Sequence, residues 1–145
     1  MASLVPPQKP MIKTKKILFC AIFLVATSPA MAAHWAVFNE QPELKRYVDV
    51  TSVKNLGDGK VSFFVLTDLL TNYTPKPGTV QMMSLVTQME FDCKTDKFRN
   101  VFGLAFAGNM ATGDRQRMPI PDGDKWMPVV PDTEGVGFRE FACKR

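Results

Sequence analysis

Short runs of β-branched and aromatic residues, separated by segments rich in Gly, Pro, Asn and Asp, recur along the chain after residue 33. This pattern is typical of antiparallel strands joined by turns. It predicts five strands, at His34 to Glu40, Arg46 to Val53, Lys60 to Leu70, Val80 to Cys93, and Phe98 to Ala107. The third strand is apolar at both odd and even positions, so we expect it to be central in the sheet.

The fourth predicted strand separates apolar from polar side chains with a period of two. One face carries Met83, Leu85, Met89, Phe91 and Cys93, and the other carries Ser84, Gln88, Glu90 and Asp92. Because successive side chains of a strand point to opposite faces, we expect Cys93 to face the core and the C-terminal segment to cover that face. The same reasoning places Phe98, Phe102, Leu104 and Phe106 on one side of the fifth strand.

The last third of the chain is less regular. Residues 108–124 form a turn-rich excursion with Arg115 and Arg117 at its tip, and the proline-flanked run 126–131 predicts a short edge strand.

The C-terminal segment carries a helical pattern. Asp132 or Thr133 is suited to cap a helix in which Phe138, Phe141 and Ala142 form an i, i+3, i+4 stripe. Gly135 and Gly137 weaken a helix, so an alternating strand stays open as an alternative. Together the elements predict an α+β fold, a mainly antiparallel sheet of five to six strands packed by a C-terminal helix.

The N-terminus reads as a secretory signal. Lys13, Lys15 and Lys16 precede an apolar run from Ile17 to Ala26, and a small-x-small cleavage site follows at residues 30–32. The run is shorter than the roughly 20 apolar residues that span a membrane. We therefore expect cleavage after Ala32, with either Met1 or Met11 as the start. The mature protein is then a single domain, 33–145, exported to the periplasm or the cell surface or secreted.

Removal of this leader changes the charge of the protein. Four of the 18 Lys and Arg residues lie in it, which leaves 14 against 14 Asp and Glu. With a neutral mature chain, a basic nucleic-acid surface loses its main support, and a polybasic membrane anchor has no basis, so neither is expected.

The cysteines predict one disulfide. Cys20 lies in the leader, and Phe19 before it is too large for a lipid-attachment site, so the mature protein keeps Cys93 and Cys143. Two cysteines in an exported chain most economically pair with each other. A redox pair is the alternative, but such pairs usually have C-x-x-C spacing. A bond between Cys93 and Cys143 would fix the C-terminal end and stabilise the fold by about 4 kcal/mol.

Residues for catalysis are scarce, which predicts a protein that is not an enzyme and has no cofactor. His34 is the only histidine, so a histidine-assisted triad or a three-histidine metal site is excluded. The strand carboxylates are expected to be solvated; they are Asp49, Asp68, Glu90 and Asp92. After cleavage, His34 lies beside the new N-terminus, where an amine, an amide and its imidazole could bind Cu(II).

A set of residues in order along the mature chain resembles the surface-adhesin protein E family. The set comprises Trp35, Tyr47-Val48-Asp49, Ser52-Val53, Asp68, Ser84, Glu90-x-Asp92-Cys93, Trp126-x-Pro128-Val129-x-Pro131 and Cys143. The resemblance implies an antiparallel sheet packed by a C-terminal helix, with the two cysteines joined. It also implies surface exposure and binding of host proteins such as vitronectin, laminin or plasminogen. Asp132-Thr133 departs from the Gly-Ser expected there.

These observations predict an exported, non-catalytic, adhesin-like binding protein. The alternative is a periplasmic copper or small-ligand binding protein. The partner contact is predicted in the turn-rich excursion, at Met110, Arg115, Arg117 and Met118, because loops on a rigid sheet carry binding and because Arg and Met are enriched at interfaces. Self-association into a homodimer is a further partner prediction.

Overall fold

The computed structural model describes residues 32–73, 81–120, 122–123 and 125–144. In these residues eight strands form one antiparallel sheet, and a helix follows them. The elements are β1 (Trp35–Glu40), β2 (Leu44–Asp49), β3 (Lys54–Gly57), β4 (Lys60–Tyr73), β5 (Met82–Asp92), β6 (Lys97–Phe106), β7 (Arg115–Arg117), β8 (Met127–Pro128) and α1 (Glu134–Cys143). The strand order is β1-β2-β4-β5-β6-β7, with β3 beside β4 and β8 beside β6. The predicted α+β fold and the central position of the third predicted strand, β4, are confirmed.

The second predicted strand, Arg46 to Val53, ends earlier in the structure, and a separate strand, β3, begins after it. β2 ends at Asp49, because the Asp49 carboxylate accepts hydrogen bonds from the N–H and hydroxyl of Thr51, and the Ser52 hydroxyl donates to the Asp49 carbonyl. The chain then turns and forms β3, which pairs with β4. β4 itself continues to Tyr73, beyond the predicted end at Leu70 and into the segment between the third and fourth predicted strands. Residues 74–80, which include the predicted start of the fourth strand at Val80, and the leader before residue 32 lie outside the described residues.

The core lies between α1 and one face of the sheet, on β4 and β5. Its buried members are Val48, Phe63, Val65, Met89, Phe91, Phe138 and Ala142. The ring of Phe63 lies 5.8 Å from that of Phe91 and 5.0 Å from that of Phe141. Burial of each large apolar side chain contributes about 1.5–3 kcal/mol. The predicted stripe of α1 is therefore the face that closes this core.

Side chains hold both ends of α1 in place. At its start, the Thr133 hydroxyl donates to the Val130 carbonyl at 2.7 Å rather than capping the helix. At its end, Cys143 is bonded to Cys93, which follows β5. The predicted disulfide is confirmed, and the helix is formed rather than the alternative strand. Within the described part of the chain, no helix has the length and apolar character needed to cross a bilayer.

The prediction for the faces of β6 was wrong. Phe98 is opposite Phe91 and Asn100 is opposite Met89, but Phe102 is opposite Gln88. The extra residue on β6 forms a bulge, and a shift of one residue exchanges the two faces of a strand. Phe98 therefore packs on the core side, 5.7 Å from Phe91, whereas Phe102, Leu104 and Phe106 share the opposite face.

Candidate partner-binding surface

The turn between β6 and β7, residues 108–113, is held to the sheet by two buried polar side chains. The Ser84 hydroxyl donates to the Gly108 carbonyl at 2.6 Å and accepts from the Ala111 N–H at 3.0 Å. Asp68 Oδ1 accepts from the Met110 N–H at 2.7 Å and from the Asn109 side-chain amide at 3.2 Å. Strands β4 and β5 thus fix the position of this 108–113 turn.

Sequence reasoning missed the role of Asp68 and Ser84. Both were expected on a solvated face, yet Asp68 is 6% exposed and Ser84 is fully buried. They are direct cross-strand neighbours on β4 and β5, and the 108–113 turn covers them both. Buried polar groups are stable only when they are hydrogen-bonded, and here the main chain of the turn supplies the partners. Likewise Asp49, also expected to be solvated, is 6% exposed.

The backbone of the 108–113 turn adopts an unfavourable conformation. Met110 and Ala111 have φ angles of 52° and 57°, in the left-handed region that costs a non-glycine residue about 1–2 kcal/mol. A Cβ at Gly108 would lie 2.4 Å from Thr112 Oγ1, so the close approach here requires glycine. Strain of this kind persists only where surrounding contacts over-determine it, and Asp68 and Ser84 provide those contacts. The result is a fixed turn in which Met110 is 40% exposed.

Arg115 and Arg117 are not at the tip of an excursion, as the sequence suggested. They lie in strand β7, opposite Phe106 and Leu104 of β6. Because they are two residues apart in a strand, they point to the same side. Both are exposed, and neither makes an ion pair with another described residue. The Arg117 guanidinium lies 5.4 Å from the ring centroid of Phe102, within range of a cation–π contact.

Three of the four predicted contact residues are therefore exposed on consecutive elements, Met110 in the turn and Arg115 and Arg117 in β7. Met118 differs, because it is half-buried and its N–H donates to the Gly103 carbonyl at 2.9 Å. As an edge strand, β7 also exposes backbone groups on its outer side, where charged side chains commonly prevent unwanted strand pairing. The two arginines can serve this purpose.

The geometry at His34 is unfavourable for copper. Its backbone N–H donates to Asp49 Oδ1 at 3.1 Å, and its carbonyl accepts from the Val50 N–H. Binding of Cu(II) through the His34 amide would remove the proton that Asp49 accepts. The deprotonated nitrogen would then lie beside the buried Asp49 carboxylate. The described residues contain no group of three or more His, Cys, Asp and Glu suited to hold a metal ion.

Comparisons with known proteins define the class. The model of the surface-adhesin protein E family matches residues 35–144, and the chain belongs to this family. The fold is also that of solved structures from Haemophilus influenzae. Crystal form II of protein E is 15% identical, with a TM-score of 0.55 over 78% of this chain and 96% of that one. Protein E from non-typeable Haemophilus influenzae is 17% identical, with a TM-score of 0.55 over 81% of each chain. A comparison with curated proteins found no match.

Proposed function

We propose that this protein is an exported adhesin that contacts host proteins through the 108–113 turn and strand β7. Membership of a surface-adhesin family supports the general function. The location rests on one observation, the pair of left-handed residues, Met110 and Ala111, held in place by buried Asp68 and Ser84. Such strain at an exposed turn is a common feature of binding sites.

A fixed turn favours binding for a thermodynamic reason. Ordering a loop on association costs free energy, and a turn that is already ordered avoids much of that cost. Met110 then offers an apolar contact, and Arg115 and Arg117 offer donors and positive charge without competing ion pairs among the described residues. This combination suits an acidic surface on the partner, since charge complementarity speeds association and selects partners.

The host proteins to test first are vitronectin, laminin and plasminogen, which the family resemblance implies. The experiment measures how strongly wild type and the double variant Arg115→Ser/Arg117→Ser bind to each immobilised host protein. The matched control is Lys54→Ser/Lys97→Ser, which removes the same charge from two exposed strand positions away from the turn. We expect the arginine variant to bind at least about tenfold more weakly and the lysine variant to bind within about twofold of wild type.

Two results would contradict this proposal. Equal losses of binding in the two double variants would show that binding depends on the net charge of the protein and not on the proposed surface. Absence of wild-type binding to all three host proteins would reject the proposed partners. Unchanged thermal unfolding of each variant is the control for folding.

A further inference from the structure

A groove on the helix side of the sheet is left open by the core. Its inner part has a volume of about 370 Å³ and lies between the first turn of α1 and strands β4, β5 and β6. Its outer part, about 430 Å³, lies against β8 and the segment after it. The two parts share three lining residues, Phe98, Thr133 and Gly135, so they are adjacent sections of one groove.

The inner part carries neutral hydrogen-bonding groups on an apolar floor. Thr67, Thr87 and Asn100 line it, and their side chains make no hydrogen bond to another described residue. The charged residues at this end neutralise each other, because Arg46 donates to Glu134. Asn39 also donates to Glu134, at 2.5 Å. An uncharged ligand with hydroxyl or amide groups therefore matches this end better than an ion does.

The outer part is apolar. Met127, Pro128 and Val130 line it, and Met127 and Val130 are 40% and 54% exposed. Covering these apolar side chains with the hydrocarbon part of a ligand contributes about 25 cal/mol of favourable free energy for each Å² removed from water. The groove thus changes from hydrogen-bonding to apolar along its length.

Gly135 keeps the passage between the two parts open. A Cβ added at position 135 would lie 3.2 Å from Thr133 Oγ1 and 3.6 Å from Val129 Cγ1, and no atom of Phe98 would lie within 4 Å of it. The contact with Thr133 is tight but less severe than at Gly137, where a Cβ would lie 2.9 Å from Phe38. Glycine in a helix costs about 1 kcal/mol relative to alanine. Gly135 lines both parts of the groove, and with no side chain it leaves their junction clear.

We propose that this groove binds a small uncharged amphiphile, with a hydroxyl- or amide-bearing head at Thr67, Thr87 and Asn100 and an apolar tail that crosses Phe98 to Met127 and Val130. The volumes fall in the range of small-molecule sites, which are mainly apolar with a few polar groups that fix orientation. This site is separate from the 108–113 turn, and its test does not depend on the adhesin function.

The probe is n-octyl-β-D-glucoside, kept below its critical micelle concentration and titrated into the 15N-labelled mature protein. We expect saturable shifts of amide resonances at Thr87, Asn100, Gly135 and Met127. Octanoate and octylammonium carry the same tail with a negative or a positive head, and we expect each to bind at least about fivefold more weakly.

Two variants separate the groove from general surface binding. Gly135→Leu fills the passage with a good helix former, so affinity should fall at least about tenfold while thermal stability is kept. The matched control, Glu140→Leu, adds the same side chain to an exposed position of α1 that does not line the groove, and should bind like wild type. Thr87→Val should weaken binding of the glucoside about threefold or more by loss of the hydroxyl. Non-saturable shifts in wild type, tighter binding of either charged probe, or unchanged affinity in Gly135→Leu would each overturn the proposal.

Discussion

The carboxylate of Asp68 accepts a hydrogen bond from the backbone N–H of Met110 at 2.7 Å, across 42 positions of sequence. This bond joins the centre of the sheet to the exposed turn after β6. Together with Ser84, which binds the same turn at Gly108 and Ala111, it holds two consecutive non-glycine residues in the left-handed region. The rigidity of the proposed contact surface therefore originates in β4 and β5 as well as in the turn, where the Gly108 N–H donates to the Thr112 carbonyl and the Thr112 N–H and hydroxyl donate to the Asn109 carbonyl.

Removal of the Asp68 carboxylate should release the 108–113 turn. Asp68→Ala leaves the Met110 N–H without its acceptor. The Asn109 side-chain amide loses one of its two acceptors and keeps the other, the Leu69 carbonyl at 2.8 Å. We expect the free energy of unfolding to fall by about 2 kcal/mol. Hydrogen exchange at residues 109–112 should accelerate more than exchange in the core. The control is Asp114→Ala. Asp114 is an exposed carboxylate just after the turn, two residues beyond Thr112, whose N–H is the last one that is hydrogen-bonded within the turn. Equal exchange at residues 109–112 in wild type and Asp68→Ala would show that Asp68 does not hold the turn.

The disulfide should contribute strongly to stability. Cys93 and Cys143 are separated by 50 positions, and closing a loop of this size removes entropy from the unfolded chain worth about 4 kcal/mol. Thiol titration of denatured, unreduced protein should find no free thiol. Cys93→Ser/Cys143→Ser should unfold at a lower denaturant concentration, by up to that free energy, and its last helical turn should show faster hydrogen exchange. Two free thiols in the oxidised native protein would contradict the bond.

The two glycines of α1 should respond oppositely to alanine. At Gly137 the added Cβ would lie 2.9 Å from Phe38 Cζ, whose ring stacks on Phe138 at 4.2 Å, so Gly137→Ala should cost about 1–3 kcal/mol by overpacking. At Gly135 the added Cβ would lie 3.2 Å from the Thr133 hydroxyl, which is exposed and needs to move by only a few tenths of an ångström. Gly135→Ala should therefore stabilise the protein, by less than the roughly 1 kcal/mol of a helix interior. Urea unfolding of both variants checks this. If the free energy of unfolding changes in the same direction in both variants, the proposed difference in packing is wrong.

Acid should weaken an ion pair between two turns. The ammonium of Lys94, which follows β5, and that of Lys60 lie beside Asp58 and lower the pKa of its carboxyl below the usual value near 3.8. Because the folded pKa is depressed, the stabilisation is complete above about pH 4 and is lost as pH falls through the folded value.

The test of this pair is Asp58→Asn, since asparagine tolerates the positive φ of 53° at this position. Its melting temperature should lie below that of wild type at pH 7, and the difference should shrink below about pH 4 and in high salt. A difference that is constant from pH 7 to pH 2 would exclude the ion pair as its cause.

Export should remove the N-terminal segment. Expression of the full chain in a bacterium, followed by intact-mass measurement of the exported product, should give a protein that begins at Ala33. Ala30→Leu/Ala32→Leu should block cleavage, because the small-x-small site needs small side chains. A mass that includes the leader, or a lipid adduct on Cys20, would contradict this processing.

Much of this fold could be predicted from local patterns. The alternation along β5 placed Met89, Phe91 and Cys93 toward the core, and the helical stripe of Phe138, Phe141 and Ala142 predicted the element that covers them. The pairing of the two cysteines followed from their number in an exported chain. These features depend on side-chain periodicity and on cysteine chemistry, which the amino-acid sequence by itself determines.

The contact surface and the groove depended on tertiary structure. Asp68 and Ser84 carry no local signal of burial, because their partners are main-chain groups 24–42 positions away. The β6 bulge, which divides Phe98 from Phe102, is visible only in the register against β5. The groove lies between residues of α1, such as Gly135, and residues of β6, such as Phe98, which belong to elements distant in sequence. The periodicity of apolar side chains and the composition determine which elements form and which face of each element is apolar. Long-range register and packing decide which polar groups are buried and where space remains.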